Sequence, residues 1–260
     1  MSMPTPSAEL SAALEAAAAA DAVIAPLFRS NLAVEVKADR TPVTEADRRA
    51  EDAIRAVLQR RFPHYGFYGE ESGQHDMQAE SIWLVDPLDG TKSFVRDTPF
   101  FSTQIALMRR GELVLGVSSA CAAGERAWAQ VGGGAWLNGE RIHVSDRRQL
   151  SDAIVSTGNL KTLAAGAHWS AFGRLIGEVN RIRGYGDFVH YHLLARGALD
   201  VVIESDVNIL DIAALAVIVR EAGGRFTDLA GRAVGLQTTS VLASNAELHQ
   251  AVLDRLPFQH

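Results

Sequence analysis

The sequence contains a single cysteine, Cys121, among 260 residues. This excludes a disulfide bond within the chain and a metal site built from several thiolates. A chain that uses so little cysteine is typical of a reducing compartment, so we expect a cytoplasmic protein. We expect Cys121 itself to be a small core residue rather than a nucleophile, because neither a helix start nor a cationic neighbour that would lower its pKa is evident.

Positive charge and long apolar runs are also scarce. The 25 Lys and Arg are outnumbered by 31 Asp and Glu, which gives a formal net charge of −6 and predicts no nucleic-acid partner. No uninterrupted apolar run approaches the roughly 18 to 20 residues that span a bilayer. The alanine-rich segment from Ala8 to Ala22 contains acidic residues and has no Lys or Arg before it, unlike a signal peptide. We therefore expect no membrane partner.

The first half of the sequence predicts two helices followed by a sheet. Apolar residues at helical spacing indicate a helix over residues 10–28, and a second helix with Thr44 as its N-cap. Short apolar runs predict strands at 66–69 and 82–85. Alternating residues with turn signals from 103 to 144 then indicate an antiparallel meander.

In the second half, strands and helices alternate. The expected helices are 169–179, 188–195, 211–222 and 246–256. Together the patterns of the two halves predict a mixed α and β (α+β) fold. The best boundary lies near residues 145–151, and it divides the chain into halves of residues 1–147 and 148–260 that may also count as one domain.

The segment around Asp86 and Asp89 carries the most chemical information. These carboxylates lie three residues apart at the exit of a buried strand, and oxygen ligands so placed can converge on a hard cation. Gly90 permits a ligand to approach the backbone closely. If Gly90 and Thr91 open a helix, their free amides form a cradle for a phosphate. The alternative is a plain turn, because Asp-Pro-x-Asp-Gly is also good turn chemistry.

Three motifs in order resemble the inositol monophosphatase-like family of magnesium-dependent, lithium-sensitive phosphatases, which includes a type of histidinol phosphatase. They are Gly69-Glu70-Glu71-Ser72, Asp86-Pro87-Leu88-Asp89-Gly90-Thr91, and Asp211 near a helix start. The resemblance runs over nearly the whole chain. It implies the layered αβαβα sandwich of the inositol monophosphatase and fructose-1,6-bisphosphatase superfamily, two or three Mg²⁺ ions per site, inhibition by lithium and a homodimer.

The resemblance also implies a role for individual residues. The metal ligands would be Glu70, Asp86, the main-chain carbonyl of Leu88, Asp89 and Asp211. Asp47 and Thr91 would orient the attacking water, Glu70 would take part in catalysis through the metals it shares, and the amides of Gly90 and Thr91 would hold the phosphate.

Each acidic residue also has a purely structural interpretation. Thr44 and Asp47 form a capping-box pattern, Glu70 can be a solvated loop charge, and Asp211 can complement the dipole of its helix. The sequence departs from the family at Leu210, where an aromatic residue usually precedes the distal aspartate. Leucine keeps an apolar support for that aspartate without an indole ring.

The region from Arg183 to Phe188 looks most like the histidinol-phosphate branch of the family. Histidinol phosphate carries an amine and an imidazole, so Asp187, Glu204 and Asp206 are predicted to accept hydrogen bonds from it. Asp187 can instead be a turn residue or the N-cap of the helix that follows.

Three alternatives to histidinol phosphate stay open. One is a phosphatase for inositol 1-phosphate or a related sugar, and another is a nucleotide 3′-phosphatase, because Lys92 also occurs in that branch. The third is a metal-binding scaffold protein without turnover.

The sequence permits two roles for the neighbouring histidines His190 and His192. They can contact the substrate, or they can be partly buried polar residues.

Overall fold

The computed structural model describes residues 5–30, 34–36 and 42–256. Within these residues the helices are α1 Ala8–Leu27, α2 Glu45–Arg61, α3 Thr91–Val95, α4 Leu160–Ala165, α5 Trp169–Glu178, α6 Asp187–Ala195, α7 Ile209–Glu221 and α8 His249–Arg255. The strands are β1 Val34–Val36, β2 Pro42–Thr44, β3 Gly66–Gly69, β4 Gly73–His75, β5 Ser81–Asp89, β6 Ser102–Arg109, β7 Glu112–Ala120, β8 Glu125–Gln130, β9 Ala135–Leu137, β10 Glu140–Ile142, β11 Ile154–Thr157, β12 Arg181–Arg183, β13 Val201–Ser205, β14 Gly224–Thr227 and β15 Ser240–Asn245.

Two mixed sheets form the frame. The first has eight strands in the order β10-β9-β8-β7-β6-β5-β3-β4, and its strands β6 to β10 form the antiparallel meander that the sequence predicts. The second has five strands in the order β12-β11-β13-β15-β14. Strand β3 runs parallel to β5, so both strands end at the same edge of the first sheet. The motifs after Gly69 and Val85 therefore meet at that edge.

The helices lie in three layers around the two sheets. α1 and α2 pack on the outer face of the eight-stranded sheet, and α5 and α8 pack on the outer face of the five-stranded sheet. α6 and α7 lie between the sheets. This arrangement confirms the layered αβαβα sandwich.

Helix α7 is apolar on every side because it is covered by sheet on both faces. It approaches β7 closely at Gly116, where an added Cβ would lie 2.3 Å from the carbonyl oxygen of Ala214. The core around α7 includes residues from both predicted halves, such as Leu84 and Leu215. The division into residues 1–147 and 148–260 stays a prediction.

Within the described residues, α1 is the one helix long and apolar enough to cross a membrane, by length and composition alone. It begins at the N-cap Ser7, whose side chain accepts a hydrogen bond from the amide of Leu10. Its buried side chains recur at helical spacing, and they pack against α2, β6 and β7. In this fold α1 is a core helix of the outer layer.

Several element boundaries differ from the sequence prediction. α7 begins at Ile209 rather than Asp211, and α8 begins at His249 rather than Ala246. The strands β1, β2, β4 and β14 and the helix α4 are not predicted at all. All five are three to six residues long, too short to establish a periodic pattern.

Candidate active site

The N-terminus of α2 positions Asp47. Its Oδ2 accepts hydrogen bonds from the backbone amide of Thr44 at 2.8 Å and from the Thr44 hydroxyl at 2.6 Å, which forms the capping box. Its Oδ1 accepts the hydroxyl of Thr91 at 3.0 Å. The structural and the functional interpretations are therefore compatible, because one oxygen caps the helix while the other faces the loop after β5. Burial raises the pKa of Asp47.

The end of β5 is irregular, because its pairing with β6 shifts register between Asp86 and Asp89. The amide of Leu88 donates to Oδ1 of Asp86 at 2.9 Å, which fixes that carboxylate on its own backbone. Gly90 has a φ of 85°, and an added Cβ would lie 2.5 Å from the carbonyl oxygen of Phe100. Only glycine fits there. α3 then begins at Thr91, as the sequence suggests, and the Thr91 hydroxyl also lies 3.0 Å from the carbonyl of Leu88.

Asp211 is held by a second capping box, at the N-terminus of α7. Its Oδ2 accepts the amide of Asn208 at 2.9 Å, and its Oδ1 accepts the side-chain amide of Asn208 at 2.7 Å. Asp211 is thus the third residue of the helix and not its first, because Asn208 is the N-cap. Leu210, beside it, is 3% exposed and packs into the core between the sheets.

These elements bring Asp86, Asp89 and Asp211 together, with one oxygen of each within 4.8 Å of the others. Burial, followed by repulsion from Glu70 and Asp89, raises the pKa of Asp86 well above its usual value. Burial, followed by repulsion from Asp187 and Asp211, does the same to Asp89. Burial also raises the pKa of Asp211 to about 7. A divalent cation would relieve this repulsion, and the all-oxygen donor set fits Mg²⁺.

Glu70 follows β3 at the same sheet edge. Its backbone amide donates to the carbonyl of Val85 at 3.1 Å, which ties the turn to the strand that leads into Asp86. The charge of Glu70 contributes to the raised pKa of Asp86, so the two carboxylates lie close together. The acidic residues predicted as metal ligands therefore form one cluster.

A small cavity of about 40 Å³ joins this cluster to the second half of the chain. Asp89, Asp187, Glu204 and Asp211 all line it. Burial, followed by repulsion from Glu204, raises the pKa of Asp187 to about 6. Asp187 is the first residue of α6 with a φ of 47°, and the N-cap is Gly186. The alternative in which Asp187 is the N-cap of this helix therefore does not hold.

Glu204 is 5% exposed and takes part in a buried network. Its Oε2 accepts the hydroxyl of Tyr191 at 2.6 Å and lies 3.1 Å from Nε2 of His190. Its Oε1 lies over Gly158, where an added Cβ would come within 1.9 Å of that oxygen. These contacts fix the Glu204 carboxylate in the cavity wall.

Asp206 does not join this group. It is exposed and lines a separate cavity of about 370 Å³, together with Phe172 and Leu229. Two residues apart on one strand, Glu204 and Asp206 would face the same side. The strand ends at Ser205, however, and Asp206 has a φ of 60°, so the chain turns before its side chain can align with Glu204.

The two histidines of α6 are buried, at 0% and 1% exposure. His190 contacts Glu204 and Ser156, so it supports the cavity wall. His192 lies 2.9 Å from both the Ser118 hydroxyl and a Glu125 carboxylate oxygen, and burial lowers its pKa. Its partners belong to β7 and β8, which makes it a structural link between sheet and helix. Cys121 is half-buried, and burial raises the pKa of its thiol to about 11.

Sequence reasoning did not single out Asn159, Tyr191 or Glu51. Asn159 and Tyr191 line the small cavity with Glu204. Asn159 has a φ of 47°, and the Gly158-Asn159 pair after a strand was a usable turn signal. Glu51 lies four residues after Asp47, on the same helix face, and that spacing was its only signal.

Comparison with known proteins places the chain among phosphatases. The family model described as the inositol monophosphatase family matches residues 6–259. A histidinol-phosphatase of Mycobacterium tuberculosis is 43% identical over 87% of this chain and 88% of its own. A histidinol-phosphatase of Streptomyces coelicolor is 41% identical over 92% of both chains. An inositol-1-monophosphatase of Rhizobium meliloti is 38% identical over 85% of both. The crystal structure of the extragenic suppressor protein suhB from Bartonella henselae superposes with a TM-score of 0.89 at 32% identity, covering 98% of this chain and 100% of that one.

Proposed function

The chain belongs to the inositol monophosphatase family, and from this premise we propose that it hydrolyses histidinol phosphate to histidinol and phosphate with Mg²⁺ as its cofactor. That it is a phosphoric monoester hydrolase follows from the family and its relatives. The observation that carries the choice of substrate is the small cavity, because Asp187 and Glu204 line it together with the ligand candidates Asp89 and Asp211. A substrate with a phosphate and a cationic group needs such a pair of neighbouring sites. The names of two relatives support the same choice.

The carboxylates of Glu70, Asp86, Asp89 and Asp211 and the carbonyl of Leu88 would hold Mg²⁺. The bound ions would supply Lewis-acid chemistry, lowering the pKa of the attacking water and stabilising charge on the leaving oxygen. We propose two or three ions per site, the number that the resemblance to the family implies.

Thr91 and Asp47 would orient the water. When the Thr91 hydroxyl donates its proton to Oδ1 of Asp47, 3.0 Å away, its lone pairs are left to accept a hydrogen from water. Asp47 is fixed by its capping bonds, so it offers the Thr91 hydroxyl an acceptor at a fixed position. This pair argues against a silent metal-binding scaffold, which would have no need to orient a water.

The backbone amides at Gly90 and Thr91 would bind the phosphate. They open α3, where the first amides of a helix have no partner within it. α3 has only five residues, so its dipole contributes little and the amides themselves would carry the binding. The left-handed conformation of Gly90 would present them to a phosphate beside the acidic cluster.

Phosphate release with and without Mg²⁺ tests the proposed activity. We expect histidinol phosphate to be hydrolysed in Mg²⁺ and the rate to fall to background in excess EDTA, because a cluster of carboxylates repels a phosphate dianion unless cations invert its field. Re-addition of Mg²⁺ restores the rate if the loss is due to metal removal. Full turnover in excess EDTA would contradict the metal-dependent mechanism.

Replacement of Asp187 by Asn, or of Glu204 by Gln, tests recognition of the cationic substrate. A charge-assisted hydrogen bond is worth about 1.5 to 3 kcal/mol, so we expect kcat/KM for histidinol phosphate to fall roughly 10- to 100-fold more than for a phosphate monoester without a cationic group. Steady-state kinetics on both substrates measure this difference. Equal losses on the two would mean that Asp187 and Glu204 support only the metal site or the fold. Asp206→Asn is the matched control, because that carboxylate lies outside the small cavity and should leave both values unchanged.

Inositol 1-phosphate or a related sugar phosphate is the second candidate substrate. The relative from Rhizobium meliloti is named for that activity. A polyol can also donate hydroxyl hydrogens to Asp187 and Glu204, so the acidic cavity alone does not exclude it. The only support for a nucleotide 3′-phosphate as the substrate is Lys92, which is exposed.

We also propose a homodimer located in the cytoplasm. The dimer rests on the family resemblance. Light scattering should then give twice the chain mass of 28.0 kDa. The monomer mass would contradict the dimer.

A further inference from the structure

Glu51 is a buried carboxylate on the face of α2 that carries Asp47. It is 3% exposed and lies one turn further along the helix. Its Oε2 accepts the backbone amide of Glu71 at 2.8 Å, and its Oε1 accepts the backbone amide of Ser72 at 2.8 Å. Each carboxylate oxygen therefore holds one amide of the turn that directly follows Glu70.

The neighbouring backbone is shaped around this carboxylate. An added Cβ on Gly69 would lie 2.5 Å from Oε2 of Glu51, so a larger residue where β3 ends would displace this carboxylate. On the other side of the turn, the amide of Glu70 donates to Val85 at 3.1 Å. Glu70 is thus fixed from both sides, by β5 on one and by Glu51 on the other.

A buried ionised carboxylate is costly unless its oxygens receive strong hydrogen bonds. Two short bonds from backbone amides meet that need, and they also remove the freedom of the turn. A carboxylate held in advance loses less conformational entropy when it binds a cation. The effect of Glu51 should therefore appear in how tightly Glu70 binds the cation. Glu51 is not itself a ligand.

We propose that Glu51 is a positioning residue for the metal site, holding the turn of residues 70–72 so that the Glu70 carboxylate is aimed at Asp86. This role rests on the proposed function of Glu70 as a metal ligand. Glu51 acts through the two amides and has no part in the chemistry itself. Glu51 and Asp47 then serve the site from one face of α2, the first through Glu70 and the second through Thr91.

Isothermal titration of Mg²⁺ into Glu51→Gln, without substrate, tests this role. The amide side chain keeps the volume, but it can accept only one of the two N–H groups and presents its own NH₂ to the other. We expect the dissociation constant for Mg²⁺ to rise about 10- to 100-fold. We expect kcat at saturating Mg²⁺ to stay within about threefold of wild type, because excess metal restores the loaded site. Asp52→Asn is the matched control, since it removes an exposed carboxylate from the same helix and should not alter Mg²⁺ binding.

A lowered melting temperature with an unchanged Mg²⁺ dissociation constant would overturn the proposal and leave Glu51 a purely structural residue. If Glu51→Gln does not fold, Glu51→Asp decides. It keeps the charge but is one methylene too short to reach both amides, so Mg²⁺ binding should again weaken. A wild-type protein that binds no Mg²⁺ would contradict the proposed function itself, and so be distinguished from a failure of Glu51 alone.

Amide hydrogen exchange on the metal-free wild-type protein gives a test without any variant. If Glu51 holds the turn in advance, the amides of Glu71 and Ser72 exchange slowly before Mg²⁺ is added. Exchange at the rate of an open loop would overturn the proposal.

Discussion

Asp86→Asn is expected to lower kcat/KM by roughly a thousandfold or more, because it removes a ligand charge from the centre of the acidic cluster at nearly constant volume. Asp86 is 3% exposed, and one of its oxygens is already fixed by the amide of Leu88 at 2.9 Å. Asparagine can keep that hydrogen bond through its carbonyl oxygen. The loss should therefore appear in activity and not in folding. Phosphate release at saturating Mg²⁺ measures it.

The stability of the same variant gives an independent check. Burial and the charges of Glu70, Asp89 and Asp211 raise the pKa of Asp86, so its protonated form stabilises the metal-free fold and that stability is lost as pH rises. Neutral asparagine avoids this loss. Above neutral pH the metal-free variant should melt no lower than the wild type, as differential scanning calorimetry can show.

The exposed Asp254→Asn is the matched control for Asp86→Asn and should leave both activity and melting temperature unchanged. Near-wild-type turnover by Asp86→Asn would remove Asp86 from the metal site. An unfolded variant would mean that the carboxylate serves the fold.

Thr91→Ala is expected to lower kcat by roughly 100-fold or more while KM changes by less than a few-fold. In the proposed mechanism the Thr91 hydroxyl, hydrogen-bonded to Oδ1 of Asp47, would orient the attacking water as the transition state is approached. The amide of residue 91, which would bind phosphate, is kept. Steady-state kinetics at saturating Mg²⁺ separate the two constants.

Thr91→Ser is the control for that substitution, because serine restores the hydroxyl and should recover most of kcat. A rise in KM without a change in kcat would instead make Thr91 an anchor for the phosphate. Failure of serine to recover activity would mean that the methyl group of Thr91, through packing, is the part that matters.

The local motifs of the site could be predicted because they are contiguous in sequence. Asp86 to Thr91 combine a strand exit, a proline, a glycine and two carboxylates within six residues, and the structure places them at the irregular end of β5 and the start of α3. Asp211 could be paired with them only through the family resemblance. Nothing in the intervening sequence indicates that α7 passes between the sheets.

The errors arise where a single backbone angle decides the outcome. Glu204 and Asp206 are two residues apart, so on a continuous strand their side chains would face the same side. Asp206 itself has a left-handed backbone conformation, however, and it lines another cavity.

Glu51 was missed for a different reason. Its function lies in accepting two backbone amides 20 and 21 residues away, and such partners leave no mark on the sequence pattern.

The polar residues of the second half could not be ranked from sequence, because burial separates them. His190 and His192 look equivalent along the chain, yet the first meets Glu204 in the cavity wall and the second meets Ser118 in the first sheet. Two residues on a helix differ by about 200° in direction, so they face opposite sides. Each side of α6 therefore faces a different part of the sandwich.

The proposal that this phosphatase acts on a substrate with a cationic group can be tested by comparing three substrates. Purified protein in Mg²⁺ is given histidinol phosphate, inositol 1-phosphate and adenosine 3′,5′-bisphosphate side by side, and kcat/KM is measured for each. Asp187 and Glu204 in the cavity beside the acidic cluster predict that histidinol phosphate is preferred by roughly tenfold or more. A higher kcat/KM for inositol 1-phosphate would contradict that claim.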